Sequence, residues 1–75
     1  MEELSTNYNL INIESHLKDI RESRNISQQE LADITGMSVR TIRYYESMDA
    51  IPSIINAYKL SMFLKVPLEK LFIVS

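Results

Sequence analysis

Apolar residues recur at helical spacing along most of the chain, and the breaks between those runs carry residues that start and stop helices. Ile13, Leu17 and Ile20 lie at i, i+4 and i+7, with Glu14, Lys18, Asp19 and Glu22 facing away, so the spacing predicts a first helix from Ile13, capped by Asn12. Ser27 precedes Gln28, Gln29 and Glu30, the order of a capping box, in which the hydroxyl and the glutamate satisfy each other's backbone N–H groups. A second helix therefore starts there, with Leu31, Ala32 and Ile34 as its expected core face. Gly36 stops it, because glycine adopts the positive φ of a helix end without steric cost. Two residues later Ser38 caps a third helix that turns Ile42 and Tyr45 or Glu46 inward. Pro52 disfavours helix at Ile51, and Ser53 caps a fourth helix over Ile54 to Leu64. Its predicted core stripe is Ile54, Ala57, Leu60, Ser61 and Leu64; Ile55, Tyr58 and Met62 form a second stripe roughly 130° around the cylinder. Pro67 to Phe72 reads as a short fifth helix, followed by the apolar Ile73 and Val74.

The expected fold is therefore all-α, a compact five-helix domain in which helices 2 and 3 form a helix-turn-helix. Residues 1–12 show no period and are expected to be a flexible N-terminal arm, in which Tyr8, Leu10 and Ile11 are the residues able to dock; residues 13–75 are the domain. With 75 residues the chain is near the lower limit for a single core without staples. Cysteine is absent and histidine occurs once, at His16, so neither disulfides nor a zinc-finger ligand set is available and no metal or cofactor is expected. No catalytic constellation stands out. The longest apolar run, Leu71 to Val74, is too short for a signal-peptide core or a membrane span, and a cytoplasmic protein is expected.

On the third helix Val39, Arg40, Arg43 and Tyr44 fall at i, i+1, i+4 and i+5 and share the outward face. Guanidinium groups pair bidentately with guanine edges or with phosphates, and such a helix fits the DNA major groove. Exposed arginines alone are ordinary surface; the two capped helices around Gly36 are what direct the reading toward DNA. The net charge of −2 argues the other way, although without Glu2 and Glu3 eight basic residues balance eight acidic ones. Arg21 lies beside the apolar stripe of helix 1 and needs a carboxylate, for which Glu46 is the candidate.

From about Ile13 to Phe72 the chain resembles the phage-repressor-like (Cro/cI, or XRE) helix-turn-helix family, through L-K-D-I-R, S-Q-Q-E-L-A, S-V-R-T-I-R-Y-Y-E, P-S-I and F-L-K-V-P-L-E-K-L-F. The resemblance implies double-stranded DNA as partner and transcriptional repression by operator occupancy. It implies that Gln28 and Thr41 touch the DNA backbone, that Val39, Arg40 and Arg43 approach bases, and that Arg21 pairs with Glu46. Ser38 joins the expected backbone contacts and Tyr44 the base contacts. The turn after helix 3 departs from the family's pattern: Ser47, Met48, Asp49, Ala50 and Ile51 stand where glycine and basic residues are usual. The segment T-G-M-S-V-R-T-I-R-Y-Y-E is also similar to the recognition segment of MerR-type activators, which here would lack a basic wing after Glu46.

Two further expectations concern other surfaces. Ile55, Tyr58 and Met62, helped by Phe72, Ile73 and Val74, are expected to form a homodimer interface, matching a palindromic operator. In the contrasting reading, an antirepressor or antitoxin-like module, the same apolar stripe would bind a protein partner. No small-molecule ligand is implied.

Overall fold

A computed structural model describes residues 12–74. Five helices follow one another, α1 (Leu17–Ser23), α2 (Gln28–Thr35), α3 (Val39–Ser47), α4 (Ile54–Leu64) and α5 (Leu68–Leu71), and a small sheet of β1 (Ile13–Ser15) and β2 (Phe72–Val74) closes the two ends together. The class is helical. The expectations for residues 1–11, including docking by Tyr8, Leu10 and Ile11, lie outside the described residues.

The start of the domain differs from the helical reading. Ile13 does not open α1 and Asn12 is not its cap; Ile13–Ser15 is extended and pairs antiparallel with β2, Ile13 opposite Val74 and Ser15 opposite Phe72. β-Branched Ile13, Ile73 and Val74 suit a pleated strand, and the His16 N–H donates to the Leu71 carbonyl at 2.8 Å, continuing the ladder to the helix start. The Leu17 N–H then donates to Ser15 Oγ at 3.3 Å, which helps the chain turn from strand into helix.

The local signals around Gly36 all operate. Ser27 Oγ accepts from the Glu30 N–H while Glu30 Oε1 accepts from the Ser27 N–H, completing the capping box of α2. These bonds hold the Glu30 carboxyl below the usual glutamate range, with the bond to the Ser27 backbone as the larger cause. Gly36 has φ 75°, and its N–H donates to the Ala32 carbonyl at 2.9 Å. Gly36, Met37 and Ser38 thus form the turn between α2 and α3, and Ser38 caps α3 by accepting from the Thr41 N–H. After α3 the same left-handed conformation recurs without glycine, at Met48 with φ 62°.

The core is built from Leu17, Leu31, Ala32, Ile42, Tyr45, Leu60, Leu64 and Leu71, drawn from all five helices. In so small a domain each fully buried leucine or isoleucine contributes roughly 1.5–3 kcal/mol, enough that one cavity endangers the fold. Two assignments within this core change. On α2 the buried third position is Thr35, not Ile34, because the threonine hydroxyl donates to the Leu31 carbonyl at 2.7 Å and so enters the core satisfied. On α4 Ala57, Leu60 and Leu64 are buried, but Ile54 is 86% exposed, since the first turn of the helix projects past the edge of the core. Phe72, expected as the end of the fifth helix, instead leaves it as the first residue of β2 and packs against the core from there.

Candidate nucleic-acid interface

The outward face of α3 is held by what lies behind it. Ile42 and Tyr45 anchor the helix in the core, and the Tyr45 hydroxyl accepts from Asn56 Nδ2 at 2.9 Å, tying α3 to α4. Arg40, Arg43 and Tyr44 are consequently exposed together on the far side, whereas Val39, at the first position, is half-buried and packs against the core. Arg40 Nε donates to the Tyr44 hydroxyl at 2.8 Å, and its guanidinium carbon lies 5.4 Å from the centre of the Tyr44 ring. The ring thus braces one arginine. Ser38 and Thr41 are engaged with each other: beyond the cap, Ser38 Oγ donates to Thr41 Oγ1 at 2.9 Å.

The second arginine is braced from α2. Arg43 Nε donates to Gln28 Oε1 at 3.4 Å, and Gln28 Nε2 donates to Glu46 Oε1 at 2.9 Å. Glu46 also accepts from Arg21 Nε at 2.6 Å and from its Nη2 at 3.5 Å, and the two side chains are only 6% and 8% exposed. Arg21 Nη1 donates to the Ile26 carbonyl at 2.8 Å, so this buried guanidinium also holds the loop leading into α2. Burial of both charges without a satisfied geometry would cost several kcal/mol each. Here every bond is local to the α1–α2–α3 junction that orients the outward face.

A shallow depression of about 320 Å³ lies at that junction, lined by Lys18, Gln28, Arg43, Glu46 and Ser47. Lys18 is exposed on α1, as its spacing predicts, and it lies beside Gln28 and Arg43. Asp49, the acid in the turn after α3, accepts from the Ser47 hydroxyl at 2.8 Å.

The residues expected at a dimer interface lie on two elements, α4 and β2. Ile55, Tyr58 and Met62 are exposed on α4, and Ile54 continues their stripe at the helix start. Phe72 and Val74 line an apolar groove of about 180 Å³ with Ile13, Ile51, Pro52, Ala57, Leu68 and Ile54, where the groove meets the stripe. Ile73, between them on β2, points to the opposite face of the strand pair. Among the described residues no group of histidine and acidic side chains is arranged to hold a metal ion, and no helix is long and apolar enough to cross a membrane.

Residues 17–71, from the first residue of α1 to the last of α5, match the family model described as Helix-turn-helix. Over 54 residues, 72% of the chain, it is 44% identical to a protein of Methanocaldococcus jannaschii provisionally named an HTH-type transcriptional regulatory protein, of which this match covers 17%. Proteins carrying the same provisional name in Methanococcus vannielii and Methanococcus maripaludis strain C5 are 46% and 44% identical over the same length, 16% and 17% of each. The chain therefore spans about a sixth of the length of these relatives. After α3 the turn leads into α4, and among the described residues no hairpin stands where a MerR-type wing would follow. Capped helices across Gly36, an arginine-bearing outward face, and a match running the length of the helical domain identify the chain as a member of the helix-turn-helix family of the XRE, phage-repressor-like type.

Proposed function

We propose that the chain is the DNA-reading domain of a transcriptional regulator, which binds a palindromic operator as a cytoplasmic homodimer and represses by occupying it. The observation that carries this reading is the face of α3, where Arg40, Arg43 and Tyr44 project together from a helix whose other side is fixed in the core. Arg40 and Arg43 approach base edges with Val39 and Tyr44 beside them, while Gln28, Ser38 and Thr41 contact the DNA backbone. Lys18 adds a phosphate contact at the α1 side of the same depression. The relatives' shared name, transcriptional regulatory protein, supports a role in transcription. Repression by occupancy needs no pocket or effector part beyond this domain.

The dimer is part of the same reading. One recognition helix reads few bases, and the wet stripe of Ile54, Ile55, Tyr58 and Met62 offers an apolar surface that a second copy would cover. A two-fold pair would place half-sites about 34 Å apart. The 180 Å³ apolar groove favours the second reading, in which the chain binds another protein in place of DNA. Titration against mixed-sequence duplex DNA at falling salt separates the two, because neutralising phosphates with lysine and arginine releases counterions and makes affinity steeply salt-dependent. Binding that strengthens severalfold as salt is halved is expected; no binding at low salt would favour the protein partner.

A further inference from the structure

Gln28 stands between the buried ion pair and the exposed arginine, and the polarity of its two bonds is informative. A carboxylate offers acceptors only and a guanidinium donors only, whereas a glutamine amide has one end of each kind. Glu46 takes the NH₂ end of Gln28 at 2.9 Å, which turns the amide oxygen outward to the Nε–H of Arg43 at 3.4 Å. A flipped amide would lose both bonds. Arg21 in turn holds Glu46 through two nitrogens and is itself tethered to the Ile26 carbonyl, so the outward amide oxygen is the last link of a chain that begins in the core.

We infer that Glu46 and Gln28 are positioning residues for recognition: they restrain Arg43 by its Nε edge and leave its Nη end free for bidentate pairing with a base. This rests on the DNA reading above. It extends that reading, because a glutamine that only touched a phosphate would strengthen binding to every sequence alike, whereas a glutamine that aims Arg43 acts at one base pair. Restraining a long side chain before contact lowers the ordering cost of binding, and only the base read by that side chain benefits.

The test compares the parent with Gln28→Met, Glu46→Gln and Arg43→Ala on the duplex the parent selects from random DNA, and on that duplex changed at each base pair in turn. The pair at which Arg43→Ala abolishes discrimination is the one Arg43 reads. At that pair Gln28→Met should lose roughly tenfold in discrimination, and elsewhere less than about twofold; in the Arg43→Ala background it should add no further loss there. Glu46→Gln should give the same pattern if circular dichroism shows it folded. If it does not fold, Gln28→Met decides, since it leaves both partners of the Arg21–Glu46 pair in place. A Gln28→Met variant weakened by the same factor on every duplex, with its discrimination at that pair intact, would overturn the inference while leaving DNA recognition intact. A parent that selects no sequence would overturn the DNA reading, and the inference with it.

Discussion

Replacing Glu46 by alanine should be the most damaging single change outside the apolar core. The substitution removes the acceptor of two Arg21 nitrogens and of Gln28 Nε2, and leaves a guanidinium that is only 8% exposed with the Ile26 carbonyl as its remaining close acceptor. Breaking a buried pair from one side costs about 3–5 kcal/mol. The lower end applies here, because Glu22 Oε2 lies 3.9 Å from Arg21 Nη2 and is exposed enough to swing closer. A domain of this size has roughly 4–11 kcal/mol in total at 0.05–0.15 kcal/mol per residue. A loss of about 3 kcal/mol should therefore lower the melting temperature by roughly 12–24 °C, at 4–8 °C per kcal/mol. Thermal melts followed by circular dichroism measure this directly. Replacing both partners, as Arg21→Met with Glu46→Met, should recover most of the loss, since two apolar side chains of similar volume leave no charge unpaired. A Glu46→Ala protein that melts within about 3 °C of the parent would show that the pair does not hold the fold, and so would a double variant no more stable than Glu46→Ala alone.

Three other outcomes follow from the same geometry. Arg40→Ala should cost about 1–3 kcal/mol on the preferred duplex and flatten its discrimination, whereas Thr41→Ala should weaken all duplexes about equally; fluorescence anisotropy titrations on matched and mismatched sites distinguish them. Tyr58→Glu with Met62→Glu should give folded monomers in sedimentation equilibrium where the parent dimerises, and a parent that stays monomeric at high micromolar concentration would contradict the interface. The lowered Glu30 carboxyl stabilises the fold fully above the ordinary glutamate range, and this contribution is lost as pH falls through the native-state value. The melting advantage of the parent over Glu30→Gln should accordingly be present at neutral pH and vanish in acid, and an advantage independent of pH would contradict it.

What was legible in the chain was written locally. Ser27, Glu30, Gly36 and Ser38 act on backbone groups within four residues, so their order alone announces two helices and the turn between them. β1 was not legible because its partner, Phe72–Val74, lies at the other end of the domain, and three residues are too few for a strand period to outweigh a helical one. Ile34 and Ile54 share a different cause: hydropathy ranks them above Thr35 and Ala57, but burial follows where each helix meets its neighbours. The candidate interface divides along the same line. Helical spacing was enough to group Arg40, Arg43 and Tyr44 on one face, whereas the Gln28 bridge and the nearness of Lys18 arise only when α1, α2 and α3 are packed together.

Selection from random duplexes by the purified chain shows whether the face of α3 reads DNA sequence. A two-fold symmetric motif with half-sites about one helical turn apart, roughly 34 Å, should be enriched, and the Arg40→Ala, Arg43→Ala double variant should lose that enrichment. A pool that stays random with the parent, or a motif that survives unchanged in the double variant, would contradict sequence reading by α3.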